Sequence, residues 1–175
     1  MGDVQPRYEF RVWGEDLAEL RERLERRATP VKVASKETYL ISKATYRCNA
    51  KIRGNLVEIK VLIAEYRGLG RWKPVLLVPF PLDQSLIVTQ IFPCLEISPP
   101  KLSRARFEIG EFLNEAIGAT PEIAVVELSK TRFKFSFDMC LAEFTVVLLN
   151  DMARNTVAFE SADPKVAGAD PRNGL

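Results

Sequence analysis

Apolar and polar residues alternate most cleanly over residues 49–60, NAKIRGNLVEIK. Gly54-Asn55 is a two-residue turn signal between two runs of period two, so the stretch predicts a β-hairpin. With those residues as the loop, Arg53 faces Leu56, Ile52 faces Val57, Lys51 faces Glu58, Ala50 faces Ile59 and Asn49 faces Lys60. One face of this ladder is apolar (Ala50, Ile52, Val57, Ile59). The other is charged, with Lys51 and Glu58 as a cross-strand ion pair.

The same alternation opens the chain. Over residues 7–13, Tyr8, Phe10 and Val12 fall on one side and Arg7, Glu9 and Arg11 on the other. Residues 15–28 change period: Leu17, Leu20, Leu24 and Ala28 form a helical stripe, acidic residues open the segment, arginines close it and Pro30 stops it. This predicts a helix packed on a sheet. Strands are predicted over 31–42, 46–53 and 56–64. Residues 65–73, EYRGLGRWK, read as a basic loop, because Gly68-x-Gly70 lacks the strand–turn–helix setting of a phosphate loop. Residues 75–80, bounded by prolines, suit a short edge strand, and an exposed edge there would suit a homodimer. Short helices are predicted over 83–92, capped by Asp83, and 107–117, ended by Gly118.

Residues 123–138 form a further strand. Lys130, Arg132 and Lys134 project from one face, and Thr131, Phe133, Phe135 and Phe137 from the other. Strands over 140–149, which hold Glu143 in an apolar run, and 156–161, which carry Glu160, complete the pattern. From Ala162 the chain turns to Ala, Asp, Pro and Gly, and a frayed tail is expected over 162–175. Roughly eight strands in up-and-down order with three helices predict an α+β chain. Its architecture would be a curved antiparallel sheet or barrel in a single domain over 1–161.

Composition narrows the chemistry. The 175 residues are 47% hydrophobic and 27% charged, which fits a globular chain with a proper core. A net charge of +2 gives no field that would announce nucleic acid or membrane, so any electrostatic message must be local. No apolar run approaches the roughly 20 residues of a membrane span, and the start of the sequence has no signal core. Three cysteines make neither a metal motif nor an even disulfide set, which suits buried thiols in a cytoplasmic protein. Histidine is absent, which removes imidazole bases and His-rich metal sites.

The charged faces, taken together, hold nine basic residues (Arg7, Arg11, Arg47, Lys51, Arg53, Lys60, Lys130, Arg132, Lys134) against four acidic ones (Glu9, Glu58, Glu143, Glu160). A solvated, aggregation-protected sheet face would also be basic. Recurring basic-x-basic pairs on separate strands point further, because clustered like charges cost free energy unless an anion or acids offset them. Arginine forks match phosphate oxygens.

Glu9-x-Arg11, Asn49-Ala-Lys51-Ile-Arg53, Val57-Glu58-Ile59-Lys60, Lys130-Thr-Arg132-Phe-Lys134-Phe, Ala142-Glu143-Phe144 and Ala158-Phe-Glu160-Ser occur in one order over residues 7–161. In this ordered set the chain resembles the CYTH superfamily of class IV adenylate cyclases, thiamine triphosphatases and inorganic triphosphatases. The resemblance implies an antiparallel eight-stranded β-tunnel that binds a triphosphate, polyphosphate or nucleotide. It makes Arg11, Lys51, Arg53, Lys60, Arg132 and Lys134 phosphate ligands, and Glu9, Glu143 and Glu160 ligands of Mg²⁺ or Mn²⁺. It also implies metal-dependent triphosphate hydrolysis, with a non-catalytic phosphate- or nucleotide-binding member as the alternative. Apart from the resemblance, the basic face and residues 65–73 leave a nucleic-acid- or partner-binding sheet as a third, less favoured reading. Arg7 stands where the family's signature has a glutamate.

Overall fold

A computed structural model describes residues 5–167. The strands are β1 (Arg7–Gly14), β2 (Val31–Ser42), β3 (Cys48–Arg53), β4 (Leu56–Tyr66), β5 (Leu69–Pro79), β6 (Leu82–Asp83), β7 (Arg106–Phe107), β8 (Ile123–Phe137), β9 (Cys140–Leu149) and β10 (Met152–Ser161). Eight of them hydrogen-bond in the order β1-β10-β9-β8-β2-β3-β4-β5 and close into a barrel, while β6 and β7 pair separately. The antiparallel, eight-stranded expectation therefore holds. So does the hairpin register: Arg53↔Leu56, Ile52↔Val57, Lys51↔Glu58, Ala50↔Ile59 and Asn49↔Lys60 are the observed partners. Gly54, at φ 58°, supplies the left-handed turn residue that the loop requires.

Chain contacts cluster into two compact units, each with its own core. The first holds the described parts of Met1–Lys36, Leu62–Lys73 and Leu128–Leu175. There the helix α1 (Ala18–Arg27) buries Leu24, 1% exposed, against Phe135, Ala142, Phe144, Val157 and Phe159. Leu17, Leu20, Phe10 and Val12 pack around this cluster, so the helical stripe and the period-two faces meet as their spacing predicts.

The second unit holds Glu37–Val61 and Pro74–Glu127. Leu40, Ala50, Ile52, Val57, Ile59 and Leu76 present one apolar face of β2–β5. The helical segments Gln84–Leu86, Ile87–Ile91 and Phe92–Cys94, and Ile109–Glu111 with Phe112–Ile117, cover it with Ile87, Ile91, Phe92, Phe112 and Ile117. In both units, period two leaves the charged residues on the face turned away from the helices.

Three expectations need correction. Residues 65–73 are not a loop: β4 runs on to Tyr66 and β5 begins at Leu69, with Arg67 and Gly68 alone forming the turn. Arg67 takes φ 48° and Gly68 φ 81°, and an arginine in a left-handed turn position sends no ordinary turn signal. Residues 75–79 are not a separate short strand: they continue β5, which begins at Leu69 and pairs with β1 through Gly70, Arg71 and Trp72. The last strand starts at Met152, four residues before its expected start, after a turn in which Asn150 and Asp151 take φ 47° and 62°. Beyond Ser161, Asp163 accepts from the Lys165 backbone N–H at 2.8 Å and caps a helical turn, Pro164–Ala167, whose Ala167 is buried. Residues 168–175 of the expected tail lie outside the described residues. Among the described residues no helix is long and apolar enough to cross a membrane.

Candidate functional site

In the second unit the charged face is built on the hairpin. Cross-strand register places Tyr39 beside Lys51, Lys51 beside Glu58 and Glu37 beside Arg53. Glu37, which sequence reasoning missed, is the centre: its side chain has no solvent exposure. Lys51 Nζ lies 3.7 Å and Arg53 Nη1 3.6 Å from Glu37 Oε1, and Tyr39 donates its hydroxyl to Glu37 Oε2 at 3.1 Å. Glu58 closes the group, with Lys51 Nζ at 3.4 Å and Arg53 Nη2 at 2.6 Å. That shortest contact is an ion pair without hydrogen-bond alignment, since Glu58 Oε1 is buried and has no hydrogen-bond partner. Lys60 is half-buried on the same face, opposite Asn49. The signal for Glu37 was present in the sequence: counting back by two from the face opposite Leu40 puts Tyr39, Glu37 and Ser35 on one side of β2.

In the first unit, the charged face spans β1, β10, β9 and β8. Glu9 lies opposite Glu160, Arg11 opposite Ala158, and Ala158 in turn opposite Glu143. Glu143 faces Lys134 across β9–β8, Thr145 faces Arg132, and Val147 faces Lys130. Arg11 Nε bonds Glu9 Oε1 at 2.7 Å, and Arg11 Nη1 donates to Thr156 Oγ1 at 3.4 Å. Burial works against the charge on Arg11. Even so, Glu9 beside it, helped by Glu143 and Glu160, holds the guanidinium pKa above its ordinary value.

Arg132 is 5% exposed, donates to Ser35 Oγ at 2.6 Å and lies 3.6 Å from Glu143 Oε2. The other oxygen of Glu143 accepts from Thr145 at 2.7 Å. Arg7 Nη1 reaches Glu160 Oε2 at 3.9 Å. Ser35, Thr145 and Thr156 are further participants that sequence reasoning missed, since lone hydroxyls on strands carry no signal until the register is known.

The expected phosphate ligands thus fall into two groups, Lys51, Arg53 and Lys60 in one unit and Arg11, Arg132 and Lys134 in the other. Glu9, Glu143 and Glu160 share the second group. Their carboxylates do not fit a divalent metal as placed. Each faces an arginine within 4 Å, and among the described residues no three acidic, cysteine or histidine side chains are grouped to hold a metal ion. Mg²⁺ demands oxygen ligands at roughly 2.0–2.1 Å in octahedral array, whereas an oxygen of each of these carboxylates is turned to an arginine.

The chain matches no protein-family model and no curated protein sequence. Among solved structures it is similar to an adenylyl cyclase candidate from Hippeastrum described as having a dominant triphosphatase activity. That alignment has 10% identity, covers 93% of this chain and 81% of the other, and has a TM-score of 0.48. An adenylate cyclase candidate from Bacillus halodurans aligns at 11% identity over 91% and 82% of the two chains, with a TM-score of 0.49. A protein from Pyrococcus horikoshii aligns at 12% identity over 89% and 77%, with a TM-score of 0.42. Likeness at this level carries no argument about activity, and the barrel stands on the strand order of the chain itself.

Proposed function

We propose that the chain binds a triphosphate-class polyanion, whether inorganic triphosphate, polyphosphate or a nucleoside triphosphate, on the cations of its charged strand faces. The observation that carries this reading is the row on β8. Lys130, Arg132 and Lys134 stand on one face, and the residues paired with them on β9 are Val147, Thr145 and Glu143. Arg132, the middle residue of the row, is buried between Ser35 and Glu143. A row of three cations two residues apart suits an anion with several oxygens, and the buried Arg132 fork matches phosphate.

Binding without turnover is the form of this function that the geometry favours. Phosphoryl transfer depends on positioning and on neutralising charge. The three glutamates that the CYTH resemblance assigns to metal are engaged by Arg7, Arg11, Arg132 and Thr145, so no hydrolytic step is assigned to them. Metal-dependent triphosphate hydrolysis, with Mg²⁺ or Mn²⁺, is the second reading and is favoured by the resemblance alone. All three cysteines are free thiols, which supports a cytoplasmic setting for either.

A thermal-shift series with tripolyphosphate, ATP and sulfate, followed by a phosphate-release assay, tests the proposal. Stabilisation by tripolyphosphate well beyond that by sulfate, with no phosphate released, is the expected result. Release at a steady rate would select the hydrolytic reading. No stabilisation by any triphosphate would remove both.

A further inference from the structure

A problem of like charges lies at the pairing of β1 with β10. Glu9 stands directly opposite Glu160. Two carboxylates in that relation repel one another across a distance of about 5 Å between their Cβ atoms, so something positive must hold them. In many proteins that role falls to a divalent cation. Here the chain supplies its own cations from the same face of β1, each two residues from Glu9 and on either side of it.

We infer that Arg11, assisted by Arg7, is a resident cation for Glu9 and Glu160, standing where a divalent metal would stand, so that this face engages its anion without metal. The last clause rests on the proposed polyanion binding; the rest stands on geometry alone. Arg11 Nε bonds Glu9 Oε1 at 2.7 Å and Arg7 Nη1 lies 3.9 Å from Glu160 Oε2. Opposite Arg11 is Ala158, 1% exposed, and on its far side is Glu143. A residue no larger than alanine between Arg11 and Glu143 leaves the guanidinium room on this face, and a longer side chain there would fill it.

The neighbouring groups complete the arrangement. Thr156 donates its hydroxyl to the Val12 carbonyl at 2.8 Å, which leaves its oxygen lone pairs to accept from Arg11 Nη1. Glu143 is held by Thr145 and Arg132. Each carboxylate that could ligate a metal is therefore drawn to a fixed cation. A guanidinium also differs from a metal ion in what it can do. It neutralises charge and donates hydrogen bonds to phosphate oxygens, but it does not generate a bound hydroxide at neutral pH.

The test uses the full chain and a metal-binding readout that is independent of activity. Free Mn²⁺ is followed by electron paramagnetic resonance as protein is titrated in, for the wild type and for Arg7→Glu, Arg11→Gln and the double variant. The wild type should leave the Mn²⁺ signal unchanged into the millimolar range. The double variant should gain one site, at least about tenfold tighter than any binding by the wild type, because a cation has been exchanged for a carboxylate beside the acids. Adding Glu160→Gln should abolish that site. Arg7→Glu, at a half-exposed position, provides a milder variant if the double variant does not fold.

Stoichiometric Mn²⁺ binding by the wild type that is lost in Glu160→Gln would overturn the inference, as would variants that gain no site. Calorimetry with tripolyphosphate in EDTA and in Mg²⁺ separates the two claims. Equal affinity supports metal independence, whereas binding in Mg²⁺ alone overturns it and leaves polyanion binding intact. Binding in neither condition removes polyanion binding and leaves the Mn²⁺ result standing.

Discussion

Glu37 concentrates the residue-scale argument. Its carboxylate is fully enclosed and is balanced by Lys51, Arg53 and the Tyr39 hydroxyl. Removing one partner of a buried charge pair leaves the rest uncompensated, at a cost of about 3–5 kcal/mol. Glu37→Gln, which keeps the shape and a hydrogen bond to Tyr39, should therefore lower the unfolding free energy from urea melts by an amount in that range; a change within error would show that the cluster is solvated. Cys48 gives a second residue-scale outcome. Burial, with smaller contributions from Cys94 and Glu96, raises its thiol from 9.0 to about 12. The folded state then keeps a proton that the unfolded chain releases above about pH 9, so stability is full below that pH and falls as pH rises toward 12. Cys48→Ala should flatten part of this alkaline slope in urea melts. At this scale the sequence revealed Lys51, Glu58, Arg132 and Glu143 through alternation and carried the same signal for Glu37 on β2, but it hid Thr156, whose significance appears only when neighbouring strands are placed.

At the scale of elements, periodicity was most legible where two signals coincided. The β3–β4 hairpin has alternation on both arms and glycine at the turn, and its register follows from those alone. The β4–β5 hairpin also has a two-residue turn, but both of its residues, Arg67 and Gly68, take positive φ, and the basic run around it mimics a solvated loop. Its Gly68, at φ 81°, should be the less replaceable of the two. Gly68→Ala is expected to cost about 1 kcal/mol and Arg67→Gly to be neutral or stabilising, both read from thermal melts. The helix α1 was legible because its leucine stripe, terminal charges and Pro30 agree. Leu24, the one residue of that helix that is fully buried, should cost about 2–5 kcal/mol on replacement by alanine.

For the molecule as a whole, closure of the sheet was beyond reach of local pattern. Alternation shows that strands have one apolar face each, but it does not say that β5 returns to β1 through Gly70, Arg71 and Trp72. The charge excess, by contrast, was legible in outline because it depends on strand faces and not on strand order. The burial of Glu37 reduces it without reversing it. The central claim, that these faces bind a triphosphate-class polyanion, is tested most directly by isothermal titration of tripolyphosphate into the wild type, Arg132→Gln and Arg26→Ala. Arg132 is buried on the cationic row of β8, and Arg26 is exposed on α1 with only a 3.8 Å contact to Glu22. Saturable binding that Arg132→Gln weakens at least about tenfold, the range of a hydrogen bond to a charged group, and that Arg26→Ala leaves unchanged is the predicted result. Absence of binding by a folded wild type, or equal losses in the two variants, would contradict it.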